Sequence, residues 1–135
     1  MIITNDLFDN LTAQAKGNPR LRMNYDLRNG EEDQSQRMLN ALEPGTEIPI
    51  HRYQQSSEVV TIIRGAIREY FYDENGKQVE TITLRFGEGV PILVVPKGVW
   101  HNLECLESGT IIYESKDGAY APQKPEDIMS FAAKM

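Results

Sequence analysis

Pro96-Lys97-Gly98-Val99-Trp100-His101 is the stretch that decides how this 135-residue chain folds. A Pro-x-Gly turn ends one extended block, residues 92–95, and places His101 directly ahead of the next, residues 102–106. The chain has one other histidine, His51. It lies in a second patterned stretch, Gly45-Thr46-Glu47-Ile48-Pro49-Ile50-His51-Arg52-Tyr53, followed by Glu58 and Gly65. Two imidazoles and one carboxylate form the ligand set of many catalytic zinc and non-haem iron sites. Histidine used this sparingly, and only in these two stretches, points to a built metal site.

Outward from these stretches lie strand-like blocks at 36–43, 48–53, 58–63, 66–72, 78–86, 92–95, 102–106 and 110–115. Turn residues separate nearly all of them: Pro44-Gly45, Gly65, Gly87 to Pro91, Pro96 to Gly98, and Ser108-Gly109. Asn75-Gly76 is expected to close a two-residue hairpin turn with both central positions at positive φ. Many short strands in one small chain predict a sandwich or small barrel. Residues 6–16 predict a short amphipathic helix, with Leu7, Phe8, Leu11 and Ala15 on one stripe, Asn5 or Asp6 as cap, and Gly17 with Pro19 ending it. Residues 20–27 alternate like a strand and 29–33 read as a loop. A helical turn is expected over 126–133. The size fits a single domain, organised as an N-terminal helix and strand extension (1–35), a barrel (36–120) and a C-terminal tail (121–135).

The formal charge is −6, with eight Arg and six Lys scattered among twenty acids, which argues against a nucleic-acid partner. Cys105 is the sole cysteine, so no intrachain disulfide exists. The first residues lack a basic segment followed by an apolar run, and the longest apolar run, 90–95, is broken by Pro91 and too short for a bilayer. The expectation is a soluble, cytoplasmic protein that uses no membrane.

Alternate residues of a strand share a face. His51 and Tyr53 therefore point one way, and Glu58 shares a face with Val60 and Ile62. If the two blocks pair across 54–57, Glu58 approaches His51, while His101 arrives from a distant hairpin. Three such ligands leave coordination positions for water or substrate, as catalysis requires.

These residues and spacings resemble the cupin superfamily, whose first motif is a glycine, two histidines one residue apart, a glutamate and a glycine, and whose second is a glycine, a Pro-x-Gly turn and a histidine. More closely, the chain is similar to the WbuC family of cupin-fold metalloproteins. That resemblance extends through Pro19-Arg20-Leu21-Arg22-Met23-Asn24, Gln36-Arg37-Met38-Leu39-Asn40-Ala41-Leu42 and Lys116-Asp117-Gly118-Ala119-Tyr120. Two positions depart from the pattern: Tyr53 stands where the family has its second histidine, and Cys105 where an asparagine often follows the second motif. A phenol, with a reference pKa of ~10, ligates only if the metal lowers that pKa. Tyr53 is thus a weak fourth ligand, a hydrogen-bond partner of substrate, or packing.

The resemblance implies an all-β cupin fold, a double-stranded β-helix or jelly-roll barrel with a short N-terminal helix. Inside it His51, Glu58 and His101, with Tyr53 adjacent, would hold a divalent metal (zinc, iron, nickel or manganese), and Tyr53 and Glu58 would be the catalytic pair. Because WbuC relatives often lie among surface-polysaccharide genes, a small sugar-derived or other polar metabolite is the expected ligand. The leading expectation is a metal-dependent isomerase, epimerase or dioxygenase. Its rivals are a non-catalytic ligand-binding or sensor cupin and a metal-free isomerase with histidine as base and Tyr53 as acid. Arg20 and Arg22, on one strand face, and Arg37, on a block entering the barrel, are the candidate substrate-binding residues, since guanidinium groups at a barrel mouth would grip an anionic metabolite. Homodimers are expected, the closed two-fold being the default assembly, with Met1-Ile2-Ile3 free to add a strand to a neighbour.

Overall fold

The computed structural model describes residues 1–129. After helix α1 (Asn5–Gly17), eight strands follow: β1 (Arg22–Asp26), β2 (Ser35–Leu42), β3 (Glu58–Arg64), β4 (Ala66–Tyr72), β5 (Gln78–Arg85), β6 (Ile92–Val95), β7 (Trp100–Cys105) and β8 (Thr110–Asp117). They form two antiparallel sheets, one ordered β1-β2-β8-β3-β6 and the other β5-β4-β7. This is a jelly roll with a short N-terminal helix. No helix among the described residues is long and apolar enough to cross a membrane.

Strand alternation builds two apolar layers. Inward residues such as Leu42, Val60, Ile62, Ile67, Leu84, Cys105 and Ile112 fill the space between the sheets. Outward residues Leu39, Ala41 and Ile111 are covered by Leu11 and Ala15 of α1, with Leu7 and Phe8 at the margin, so the stripe read from the sequence is the one that packs. The helix starts after Thr4, whose side chain caps nothing. The neighbouring Asn5 instead receives a 2.9 Å hydrogen bond from Arg64 Nη2. Arg64 also pairs with Asp9 at 2.7 Å and lies over the Phe8 ring, fastening α1 to the end of β3. Met1 and Ile2 remain exposed.

Gly65 joins β3 to β4 at φ +74°, and a Cβ there would sit 2.3 Å from Thr110 Oγ1 and 2.9 Å from Thr110 Cα. Glycine is needed both for the left-handed backbone and for the close approach.

Several expectations are corrected. Residues 48–53 do not form a strand paired with β3. Pro49 lacks the N–H of a ladder, and the segment bridges only through His51, to His101 by two bonds, 3.0 and 2.9 Å, and to Ile128 of the tail, while β3 pairs with β6 and β8. The β4–β5 turn is not a two-residue type I′ turn. Gly76 alone has positive φ there, +82°, and Asp73 N–H bonds to Lys77 O at 2.9 Å, giving the three-residue loop with a left-handed glycine that also suits hairpin twist. Arg20 precedes β1, and Leu21 between it and Arg22 has φ +56°, so alternation does not extend across them. His101 lies within β7, and β8 runs on through Lys116. In the tail, a short 3-10 turn spans Pro125–Asp127. Ile128 then bridges His51, so the helical turn expected over 126–133 does not continue there, and residues 130–133 lie outside the described residues.

Candidate functional site

The strands that build the apolar core also build the site, with side-chain parity unchanged. On β3 the inward series is Glu58, Val60, Ile62; on β4 Ile67, Glu69, Phe71; on β7 His101, Leu103, Cys105; on β8 Ile112, Glu114, Lys116. The register places Glu58 opposite Lys116 and Val60 opposite Glu114, and Glu69 opposite Leu103 and Ile82. The charged members gather at one end around a cavity of about 220 Å³, also lined by His51, Tyr53, Asn40 and Asn102. Tyr53, Glu114 and Lys116 line in addition an open groove of about 1090 Å³ outside it.

Fifty residues apart in sequence, His51 and His101 meet with ring centroids 4.3 Å apart and planes 50° apart. Their mutual backbone bridge fixes this approach. In each ring Nδ1 lies against the carbonyl two residues earlier, Pro49 O at 2.8 Å and Val99 O at 3.0 Å. A nitrogen facing a carbonyl must be the protonated one, so each Nε2 keeps its lone pair. Burial, with the neighbouring His101 for His51 and Lys116 for His101, lowers both imidazoles to about 4. Both are therefore neutral at pH 7. His101 is 2% exposed, and its Nε2 has no partner within the protein. Tyr53 completes the group, its ring centroid 5.3 Å from that of His51 and 6.2 Å from that of His101.

Glu58, 6% exposed, is brought to the same cavity, where Lys116 Nζ lies 3.8 Å from its Oε2 and 3.8 Å from the Tyr53 ring centroid. Burial raises the Glu58 carboxyl, while Lys116 and His51 pull it back. Burial alone would lower Lys116, but Tyr53, Glu58 and Glu114 hold it above the usual lysine value. Burial pushes Glu114 up to about 8, with Glu58 adding repulsion, and pushes Glu69 well above the carboxylate range. Burial also raises the Tyr53 phenol. The unprotonated Nε2 atoms of the two imidazoles are donors of the kind that a divalent metal takes. Glu58 is engaged by Lys116. Among the described residues no three His, Cys, Asp or Glu side chains group closely enough to hold a metal as they stand.

The arginines do not converge. Arg22 borders the cavity, but its Nη1 binds Thr46 Oγ1 (3.2 Å) and Glu47 O (2.8 Å). Arg37 borders the outer groove and pairs with Asp33 at 2.6 Å. Arg20 is exposed and lines neither space. Arg52, not among the candidates, stacks 4.5 Å over Trp100 and binds Asp127 at 3.1 Å, pinning the tail beside the site. Sequence reading also missed Glu69, Glu114 and Lys116. Their signal was parity: each stands two or four residues from an inward Ile67 or Ile112.

The two-sheet jelly roll is a cupin fold, and solved structures agree. The chain is similar to peruvianin-I, a cysteine peptidase from Thevetia peruviana latex (TM-score 0.62, 19% identity, 80% of this chain and 68% of that one). It is similar to KdgF from Halomonas sp. (0.59, 14%, 76% and 84%) and to the cupin domain of Schizosaccharomyces pombe Cnp3 (0.58, 14%, 72% and 64%). At these identities the likeness is one of fold. No curated protein matches the chain. Residues 3–84 match the model of a domain of unknown function, DUF6016, and the chain belongs to that family.

Proposed function

We propose that the protein is a metal-dependent cupin acting on a small sugar-derived or other polar metabolite bound in the 220 Å³ cavity. One observation carries this reading: two neutral imidazoles face each other with Nδ1 tied to backbone, and the Nε2 of His101 is buried without a partner. A buried acceptor left unpaired costs about 1–3 kcal/mol, which a bound cation would offset. The metal would supply a Lewis acid that polarises a substrate carbonyl or hydroxyl. His51 and His101 are its holders, oriented by Pro49 O and Val99 O. Glu58 and Tyr53 stand beside them to move a proton, Glu58 as base when ionised and Tyr53 as acid. Lys116 keeps Glu58 in place and favours its ionised form.

Elemental analysis of freshly purified protein tests this. Wild type should carry a stoichiometric divalent metal, His51→Ala and His101→Ala should lose it, and Tyr53→Phe should retain most of it. Equal metal content in wild type and both histidine variants would end the proposal.

A second reading draws on the Lys116 ammonium, which already places a cation beside Glu58 and Tyr53. In a metal-free isomerase a histidine would act as general base and Tyr53 as acid. Turnover surviving exhaustive chelation would favour it.

A further inference from the structure

The two imidazoles of the site are held in unlike ways. His101 lies inside β7, whose ladder with β4 runs from Trp100 to Cys105. His51 lies in a stretch, 48–57, that forms no strand and carries Pro49, which has no N–H to offer. A site on an irregular segment keeps its geometry only if surrounding contacts fix it. On one side that contact is the bridge to His101. On the other it is the C-terminal tail. Arg52 N–H donates to Asp127 O at 3.1 Å and Met129 N–H to Ile50 O at 2.8 Å, so His51 sits between two hydrogen-bonded neighbours. Met129 is buried with Ile50 and Trp100, which anchors the far end of the tail contact.

Side chains repeat the arrangement. The 3-10 turn Pro125–Asp127, closed by Ile128 N–H on Pro125 O at 3.2 Å, turns Asp127 back towards the site segment. There its Oδ1 accepts Arg52 Nε at 3.1 Å and Gln54 Nε2 at 2.6 Å. Arg52 and Gln54 are thus gripped from outside, while His51 and Tyr53 line the cavity, the alternation of an extended segment. One carboxylate oxygen binds the residues on both sides of Tyr53. We infer that Asp127 is a positioning residue of the site: by clamping Arg52 and Gln54 it holds His51 and Tyr53 towards the cavity. Fastening the tail asks for less, since Met129 already packs against Ile50 and Trp100. Asp127 does not line the inner cavity and acts only through its neighbours. The inference rests on the reading of this cavity as the site but not on the metal.

Because the chain has two histidines, magnetic resonance of the ring nitrogens in the isotope-labelled full chain reads each imidazole separately. In chelated wild type each ring should show a protonated Nδ1 and a bare Nε2. Asp127→Ala should leave the His101 pattern and turn that of His51 into a mixture of both tautomers, as Pro49 O loses its fixed approach. Backbone hydrogen exchange reads the same event. The Arg52 and Met129 amides should exchange roughly tenfold faster or more, the loss of one charge-assisted hydrogen bond, with Ile67 of β4 unchanged. Asp127→Asn keeps the oxygen acceptor and should restore the wild-type pattern. Gln54→Ala, at an exposed residue, should shift His51 in the same direction by less, and it decides the matter if Asp127→Ala unfolds. A His51 ring unchanged in the folded variant, rings and barrel amides changing together, or Asp127→Asn as disruptive as Asp127→Ala would overturn the inference and leave the metal reading standing. Equal metal content in wild type and both histidine variants would end the metal reading and leave this inference to the ring signals.

Discussion

At one end of the interior β3, β4, β7 and β8 bring together Ile62, Ile67, Cys105 and Ile112. Two or four residues along the same strands, on the same face, they bring together Glu58, Glu69, His101 and Lys116. Backbone pairing is continuous between the two ends, so the pleat that sends a side chain inward does not distinguish them. What differs is the consequence of burial. The apolar end contributes stability in proportion to the area removed from water. The polar end holds the Glu58–Lys116 pair and the Glu69 carboxyl largely away from water, where attraction between partners barely repays desolvation. The first end holds the barrel together; the second is tolerated because the first is there, and it is where chemistry can be done.

The sharpest way to break this contrast is at the Glu58–Lys116 pair. Glu58→Met leaves a buried ammonium uncompensated and should cost about 3–5 kcal/mol in urea unfolding, whereas Glu58→Met with Lys116→Met should recover most of it, since apolar replacement of a buried pair is often neutral. A double variant as unstable as the single one would show that the pair is not coupled. At the apolar end Ile112→Ala, at a fully buried residue, should cost about 2–5 kcal/mol, and no second substitution at the polar end should rescue it. Rescue by Lys116→Met would mean that the two ends are one energetic unit.

A smaller effect appears in the pH dependence. His51 and His101, at about 4 when folded, bind protons more readily when unfolded, near pH 6.5. Their contribution is complete above 6.5 and falls as pH drops towards 4. Glu114, at about 8 when folded, keeps a proton that the unfolded chain releases near 4.3, so its contribution is complete below that and is lost as pH rises to 8. The two trends oppose each other between 4.5 and 6.5. From 6.5 to 8 only the carboxylic side remains, and stability should fall by up to about 1.4 kcal/mol per pH unit for Glu114, with Glu69 acting in the same direction. Urea midpoints across this range check it: Glu114→Gln should flatten the decline, and a wild-type midpoint that rises from 6.5 to 8 would contradict the assignment.

Much of this was legible along the chain. Gly45, Gly65 and the Pro96–Gly98 turn set strand ends through backbone conformations that neighbouring residues barely influence, and alternation marked Val60 and Ile62 as inward. The helix stripe of Leu7, Phe8, Leu11 and Ala15 was equally local. His51, Glu58 and His101 could be singled out because the residue types are scarce and regularly spaced, and all three do reach one cavity. What failed was local pairing inferred from proximity in sequence. Residues 48–53 meet β7 and the tail rather than β3, because Pro49 cannot join a ladder and the bridges from His51 to His101 and Ile128 satisfy the backbone instead. The arginines failed for a related reason, since a guanidinium takes the nearest acceptor, and Asp33, Thr46 and Glu47 O lie closer than any shared centre.

By itself, then, the amino-acid sequence determined most of the strand spans and turn positions and marked the two imidazoles that the fold brings together, since those depend on φ, on parity and on residue chemistry that act over a few residues. Only the tertiary structure decided that Lys116 holds Glu58, that Glu69 is a buried acid and Glu114 a half-buried one, and that Asn40, Glu69 and His101 turn unpartnered polar atoms toward one space. Those outcomes depend on register between strands far apart in the chain and on the loss of water around groups that, on an isolated strand, would all have been solvated.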